Sequence, residues 1–255
     1  MSLLPRSGAL RSLVVRPATD GSAIVHVRLR DDSLLPEVDE LRGWLDTIAA
    51  ADPPPATVRS AALFPGAAER VAAAGFEVAD RLVLLRANLG DRRVRASIDG
   101  AGGANGAART MRRFHFGAAA AVDQAAFGAG WGHDARELAE ICRATPLHAA
   151  RYRTATPRRR GIAGRADLVA FALAGASSDH GYLQRLAVDP GAQRHGHGRA
   201  LTTDALRWMA RRRLPDCLVN TSVDNAAALA LYDSIGFTPM DELLTVFHVD
   251  VRAWR

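Results

Sequence analysis

The sequence predicts a mixed α/β protein in two parts, a smaller α/β unit followed by a larger one in which strands are flanked by helices. Three observations carry that prediction. In the second half, β-rich segments alternate with segments whose apolar residues recur at helical spacing. A glycine-rich stretch without a large apolar residue, Asp99-Gly-Ala-Gly-Gly-Ala-Asn-Gly-Ala107, interrupts the chain and reads as a flexible linker. Before that stretch, the element order of the C-terminal part recurs in weaker form. The expected division is therefore a unit over 1–90, a linker over 91–107 and a second unit over 108–255.

Residues 109–116 are expected as a first strand, followed by helices over 118–127 and 134–143 with the glycine-broken Gly128-Ala-Gly-Trp131-Gly-His133 between them. Segments 148–154 and 167–174 are β-rich and flank Pro157-Arg-Arg-Arg-Gly161, which reads as a hairpin. A strand over 182–188 enters a loop through Asp189-Pro190-Gly191. The helix expected over 199–213 has Leu201, Ala205, Trp208 and Met209 on one face. Its terminal Arg211, Arg212 and Arg213 complement the helix macrodipole. A strand over 217–222, a short helix over 226–235 and a last strand over 243–251 follow. This alternation is mixed α/β.

The internal echo compares Ala74-Gly-Phe-Glu-Val-Ala-Asp80-Arg-Leu with Ile235-Gly-Phe-Thr-Pro-Met-Asp241-Glu-Leu. Gly-Phe, the Asp four residues beyond the Phe and the Leu two beyond that coincide. An alanine-rich helix and a strand precede each copy. Further back, Asp39-Glu-Leu-Arg-Gly-Trp44 parallels Asp204-Ala-Leu-Arg-Trp208. Nothing in the first unit corresponds to 109–176.

Composition narrows the class. A hydrophobic fraction of 48% fits a globular protein, and no apolar run approaches the roughly 18 residues that cross a bilayer. The first 16 residues carry arginines on both sides of a short apolar patch and lack the pattern of a secretory signal. Cys142 and Cys217 are far apart without metal-ligand spacing, which fits a reducing, cytoplasmic setting. All 33 basic residues are arginine, and alanine is abundant. That pairing reads as a codon bias, so the net charge of +6 says little beyond a general affinity for acidic ligands. The arginines are scattered, without aromatic stacking platforms or a recognised binding motif, which argues against nucleic acid.

The chemistry concentrates in Tyr182-Leu-Gln-Arg-Leu186-Ala187-Val188-Asp-Pro-Gly-Ala-Gln193-Arg194-His195-Gly196-His197-Gly198-Arg199. A strand enters a glycine-containing loop that opens directly into a helix. The first N–H groups of such a helix lack partners and sit at the positive end of its dipole, which makes a pyrophosphate cradle. Gly196 and Gly198 allow positive φ and a close approach of phosphate to backbone. The Rossmann fingerprint and the P-loop are both absent. His195 and His197 have no Cys or acidic partner at ligand spacing, so no metal is expected.

Gln193-x-x-Gly196-x-Gly198 resembles the acetyl-CoA signature of the GCN5-related N-acetyltransferase (GNAT) superfamily. Val188-Asp189-Pro190 before it and Asn225-Ala-Ala-Ala-Leu-Ala-Leu-Tyr232-Asp-Ser-Ile-Gly236-Phe237 after it strengthen the resemblance, which covers about 109–251. It implies a mostly antiparallel sheet with splayed central strands flanked by helices, preceded here by a smaller GNAT-like unit. It also implies acetyl-CoA as co-substrate and transfer of an acetyl or short acyl group to an amine by direct attack. On these residues, the pantetheine arm would lie against Leu186, Ala187 and Val188, with an N–H near Val188 polarising the thioester carbonyl. The loop Gln193, Arg194, His195, Gly196, His197, Gly198 and Arg199 would hold the pyrophosphate, with Asn225 nearby. Tyr232 would serve the departing thiolate as acid. The family often has a glutamate base on or beside the central strand, where this chain has Gln184 and Arg185; His180, with Asp179 and Tyr182 close by, is the candidate chosen.

Competing readings stay open at this point. Tyr232 shares a helical face with Ala228, Leu231 and Ile235 and could be core. Asn225 is also a good N-cap. A CoA-sensing or protein-interaction module of the same fold is the alternative function. In the first unit Val71 stands at the counterpart of Tyr232 and Phe64 at that of Asn225, so that unit is expected to be catalytically silent.

Overall fold

The computed structural model describes residues 10–17, 23–29, 36–52, 54–100, 108–128, 130–154 and 168–254. The hairpin tip expected around Pro157 and the glycine-rich 101–107 lie outside these residues. In chain order the elements begin with β1 (Leu10–Pro17), β2 (Ala23–Leu29), α1 (Val38–Ala49), β3 (Thr57–Arg59), α2 (Pro65–Ala73) and β4 (Glu77–Asn88). Next come α3 (Arg92–Gly100), β5 (Arg109–Thr110), α4 (Phe116–Phe127), α5 (Ala135–Cys142), β6 (Leu147–Thr154) and β7 (Leu168–Ala176). β8 (Gly181–Val188), α6 (His197–Ala210), β9 (Asp216–Ser222), α7 (Ala226–Ile235) and β10 (Thr238–Asp250) follow. Among the described residues no helix is long and apolar enough to cross a membrane.

Contacts divide the described residues into two units. One gathers those up to Leu84 with Thr221–Asp224 and those from Met240 onward, and the other holds Leu85–Asn220 and Asn225–Pro239. This corrects the expected boundaries in two respects. Arg92–Gly100, placed in the linker, is the helix α3. Asp91 accepts from the N–H of Arg93 at 2.7 Å at its start, and Val94 and Ile98, four apart, give it one apolar face to bury. Most of β10 belongs to the first unit, because it pairs with β3 through His248↔Arg59, Val249↔Val58 and Asp250↔Thr57. Sequence position does not decide where a strand finds its partner.

In the first unit the strand order is β1-β2-β3-β10-β4. Leu41, Trp44, Leu45 and Ile48 of α1 fall at i, i+3, i+4 and i+7 and are buried against Val58, Val71, Phe247 and Val249. The echo seen in the sequence has a structural form: α1-β3-α2-β4 repeats the order α6-β9-α7-β10. α2 and α7 are each followed by a glycine at positive φ, Gly75 at 99° and Gly236 at 113°.

In the second unit the order is β9-β8-β7-β6-β5, antiparallel from β5 to β8 and parallel between β8 and β9. This is the mixed, mostly antiparallel sheet that was expected. The first strand is much shorter than 109–116. The ring of His115 accepts from the Arg112 N–H at 2.9 Å, a local bond that closes a turn and ends the strand. α4 and α5 cover one face, where Ala150, Tyr152, Phe171, Leu173 and Ala187 are buried with Leu138 and Val122. α6 covers the other, reached by Arg151, which pairs with Asp204 at 3.0 Å. Successive β6 residues thus serve opposite helical layers, as strand geometry requires.

Candidate functional site

β8 and β9 are joined through α6, yet they pair at two positions, Gly181↔Cys217 and Tyr182↔Leu218, at their N-terminal ends. On its other side β8 stays paired with β7 as far as Ala170↔Val188. The β7–β8 register shifts so that Leu173 faces Arg185 and Ala174 faces Leu183, which leaves Gln184 as an extra residue. Such a bulge bends its strand and sharpens the local twist. Beyond it, Leu186, Ala187 and Val188 have no strand partner toward β9 among the described residues. The backbone there forms a slot able to take an extended ligand as an added strand.

The same strand leads into the glycine loop. Asp189 accepts from the Gly191 N–H at 2.9 Å, which closes the turn after β8. Gly196 is the N-cap of α6 at φ 77° and makes no side-chain cap, so the N–H groups of His197, Gly198 and Arg199 lie at an open helix N-terminus. Gly198 also has a packing role. A Cβ there would stand 3.2 Å from Leu231 Cδ2, so its bare backbone lets α7 pack against the start of α6. Arg199 is committed to the same joint, donating to Ser234 O at 3.2 Å and Ser234 Oγ at 2.8 Å. Asn225 caps α7 by accepting from Ala228 N at 3.1 Å. Gln193 reaches back toward Val188 O at 3.5 Å, while Arg194 holds φ 61° on the exposed loop.

The two histidines differ. His195 is exposed, with Nδ1 2.7 Å from Gln193 O. His197 is buried and accepts from Arg153 Nε at 3.1 Å through Nδ1. Burial first, then the charges of Arg153 and His195, hold His197 below the usual imidazole range. The neutral ring is therefore favoured in the fold. Its stability contribution is fully present above about pH 6.5 and is lost as pH falls through the lowered folded value. The melting temperature is expected to drop between pH 7 and pH 5, and to drop less steeply in His197→Asn; thermal denaturation across that range checks both.

Tyr232 lies on α7, buried, with its ring 5.3 Å from that of Phe237. Burial, and next the neighbouring Cys217, push its phenol well above the usual value, so it stays protonated at physiological pH. His180 sits just before β8, where β8 and β9 still pair. Its Nδ1 is 2.7 Å from Asp216 Oδ1, on a side chain 44% exposed against 10% for the aspartate. A buried carboxylate in that position orients the ring.

Residues 122–237 match a family model described as the acetyltransferase (GNAT) family. Over these residues the chain is similar to the GNAT family. Its curated relatives include the mycothiol acetyltransferase of Acidothermus cellulolyticus, 46% identical over 66 residues, which span 24% of this chain and 20% of that protein. Another is the ribosomal protein bS18-alanine N-acetyltransferase of Escherichia coli K12, 39% identical over 70 residues, 28% of this chain and 47% of that protein. The matched stretch thus spans less than half the length of either relative. Among solved structures, a tandem GNAT protein from the clavulanic acid biosynthesis pathway superposes with a TM-score of 0.58 at 13% identity. It covers 96% of this chain and 81% of its own. A GNAT protein from Kribbella flavida gives 0.53 at 18%, covering 94% and 88%. Both likenesses are of fold.

Some well-defined polar contacts of the second unit were not expected from the sequence. Arg185, on β8 beside the bulge, donates from Nε to Asp123 Oδ1 and from Nη2 to Asp123 Oδ2, both at 2.8 Å. Its Nη2 also lies 2.9 Å from Trp131 O, and its guanidinium stacks 3.6 Å over the ring of Phe127. Asp123 accepts from His133 N at 2.7 Å as well. These bonds tie the segment between α4 and α5 to β8. Asp123 and Arg185 are 62 residues apart, as Arg153 and His197 are 44 apart, and no local pattern links such pairs. Among the described residues no group of three or more His, Cys, Asp or Glu is placed to hold a metal.

Proposed function

We propose that the second unit transfers an acetyl or short acyl group from acyl-CoA to an amine by direct attack in a ternary complex. The observation that carries the reading is one strand with two features: β8 offers the unpaired slot toward β9, and its end runs into the open N-terminus of α6. Acetyl-CoA has an extended amide-bearing arm joined to a pyrophosphate, and that order of parts fits that order of sites. In this proposal the arm lies along Leu186, Ala187 and Val188, and an N–H near Val188 polarises the thioester carbonyl. The N–H groups of His197, Gly198 and Arg199 face the pyrophosphate, within the loop from Gln193 through Arg194, His195 and Gly196. Asn225 shapes the joint by capping α7.

Tyr232 is the proposed donor to the departing thiolate. A free thiol titrates near 8.5 and this phenol well above its usual value, so the phenol stabilises the thiolate by donating a hydrogen bond rather than by giving up its proton. His180, oriented by Asp216, stands at the paired N-terminal end of β8, eight residues of extended strand and roughly 25 Å from Val188, so it is given no part in taking the proton of an amine that attacks there. The first unit is proposed as a degenerate, catalytically silent GNAT-like copy. Val71 stands where Tyr232 does, and Phe64 at the N-cap of α2 makes no side-chain cap where Asn225 makes one.

Release of free thiol from acetyl-CoA across a panel of amines tests the reading, with thermal denaturation in CoA beside it. Thiol release with at least one amine, and a melting temperature raised by CoA, are expected. A raised melting temperature without release on any amine would favour a CoA-sensing module instead, and neither effect would end the proposal. Gly196→Val, which forces a β-branched residue to φ 77°, is expected to weaken CoA binding about tenfold in a titration while the far-ultraviolet circular dichroism stays the same.

A further inference from the structure

We propose that a cavity at the free edge of β6 binds a small organic dianion, at a site separate from the slot between β8 and β9. The cavity has a volume of about 610 Å³ and its lining residues all belong to the second unit. That size suits a small molecule, whose sites run roughly 300–1,000 Å³. It wraps around the strand edge, with Ala150, Phe116 and Ala139 on the layer of α4 and α5 and Trp208 on the layer of α6. These side chains give an apolar floor.

The rim is basic. Arg113, Arg136, Arg143 and Arg151 line it, and no carboxylate does. Arg136 is paired with Glu140 at 3.1 Å and Arg151 with Asp204 at 3.0 Å. Arg113 and Arg143 have no carboxylate partner among the described residues, and both are exposed at the cavity mouth. Arginine forks match the geometry of carboxylate and phosphate alike.

The strand edge adds a backbone donor. β5 pairs with β6 through Arg109↔Tyr152 and Thr110↔Arg151, and Met111 N donates to Ala150 O at 2.8 Å. The peptide groups of Ala150 therefore point outward, and by strand alternation so do those of His148, which lines the cavity. Two uncommitted guanidinium groups and an edge N–H over an apolar floor call for two negative charges on an apolar body. Carboxylate and phosphate share that chemistry.

Calorimetric titration tests the site without relying on turnover. Naphthalene-2,6-dicarboxylate and 2-naphthyl phosphate serve as dianionic probes and naphthalene-2-carboxylate as the monoanion, each with CoA present and absent. At least one dianion is expected to bind five-fold or more tighter than the monoanion, equally well with CoA present. Preference for one dianion tells carboxylate from phosphate. In Arg113→Ser/Arg143→Ser, two surface changes, that binding is expected to weaken at least tenfold with the melting temperature unchanged. Dianions that bind no better than the monoanion, or that bind the double variant like the parent, overturn the proposal. Displacement of the dianions by CoA overturns it too, since they would then occupy the acyl-CoA site.

Discussion

Tyr232→Phe is expected to lower kcat by about a hundredfold, in the range typical of losing a positioned proton donor, with the affinity for CoA unchanged. The substitution removes one oxygen from a buried ring and keeps the packing against Phe237, whose centroid is 5.3 Å away. The fold should therefore barely respond, and a shift in melting temperature beyond a degree or two would point to a structural role instead. The proposed interaction forms with the sulfur as it leaves and not with bound CoA as a whole. An interaction made in the transition state lowers kcat and kcat/KM together and leaves ground-state binding alone. Because burial raises the phenol pKa, loss of its proton should not shape the pH–rate profile below pH 10. Steady-state kinetics with thiol detection and a CoA titration on the same preparation check each part. A variant that turns over like the parent removes Tyr232 from the mechanism.

Asp123→Ala is expected to destabilise the second unit by about 3–5 kcal/mol, the cost of stripping one partner from a buried ion pair. Asp123 is fully buried, and its carboxylate accepts both guanidinium bonds of Arg185 as well as the His133 N–H. The alanine would leave a cation only 16% exposed without its counter-charge and free a backbone N–H. The melting temperature is expected to fall by on the order of 10 °C. Asp123→Ala/Arg185→Met should recover part of that loss, because a methionine needs no counter-charge in the same space. If the single variant melts within a degree of the parent, the pair does not hold the segment between α4 and α5 against β8.

Different parts of this architecture were legible in the sequence to different degrees. The helix over 226–235 was read to the residue, because Asn225 caps it and Gly236 ends it, both signals within one turn of the boundary. The loop-to-helix junction at Gly196 was readable for the same reason, although α6 begins at His197 and not at Arg199. The strand expected over 109–116 failed on a bond between Arg112 and His115 that no propensity encodes. The packing role of Gly198, whose missing Cβ makes room for Leu231 thirty-three residues away, has no signal in the motif that contains it.

The sequence by itself determined the class of fold, the order of elements from β5 to β10 and the motif from Gln193 to Gly198, since each rests on neighbours within a few residues. The tertiary structure decided that β10 joins β3, that Gln184 is the bulged residue of β8, and that Arg185 answers Asp123 and His180 answers Asp216. Those outcomes depend on which distant groups meet in a low-dielectric interior, where an unpaired charge or peptide group is costly. Such a cost acts between surfaces brought together by folding, and it leaves no periodic trace along the chain.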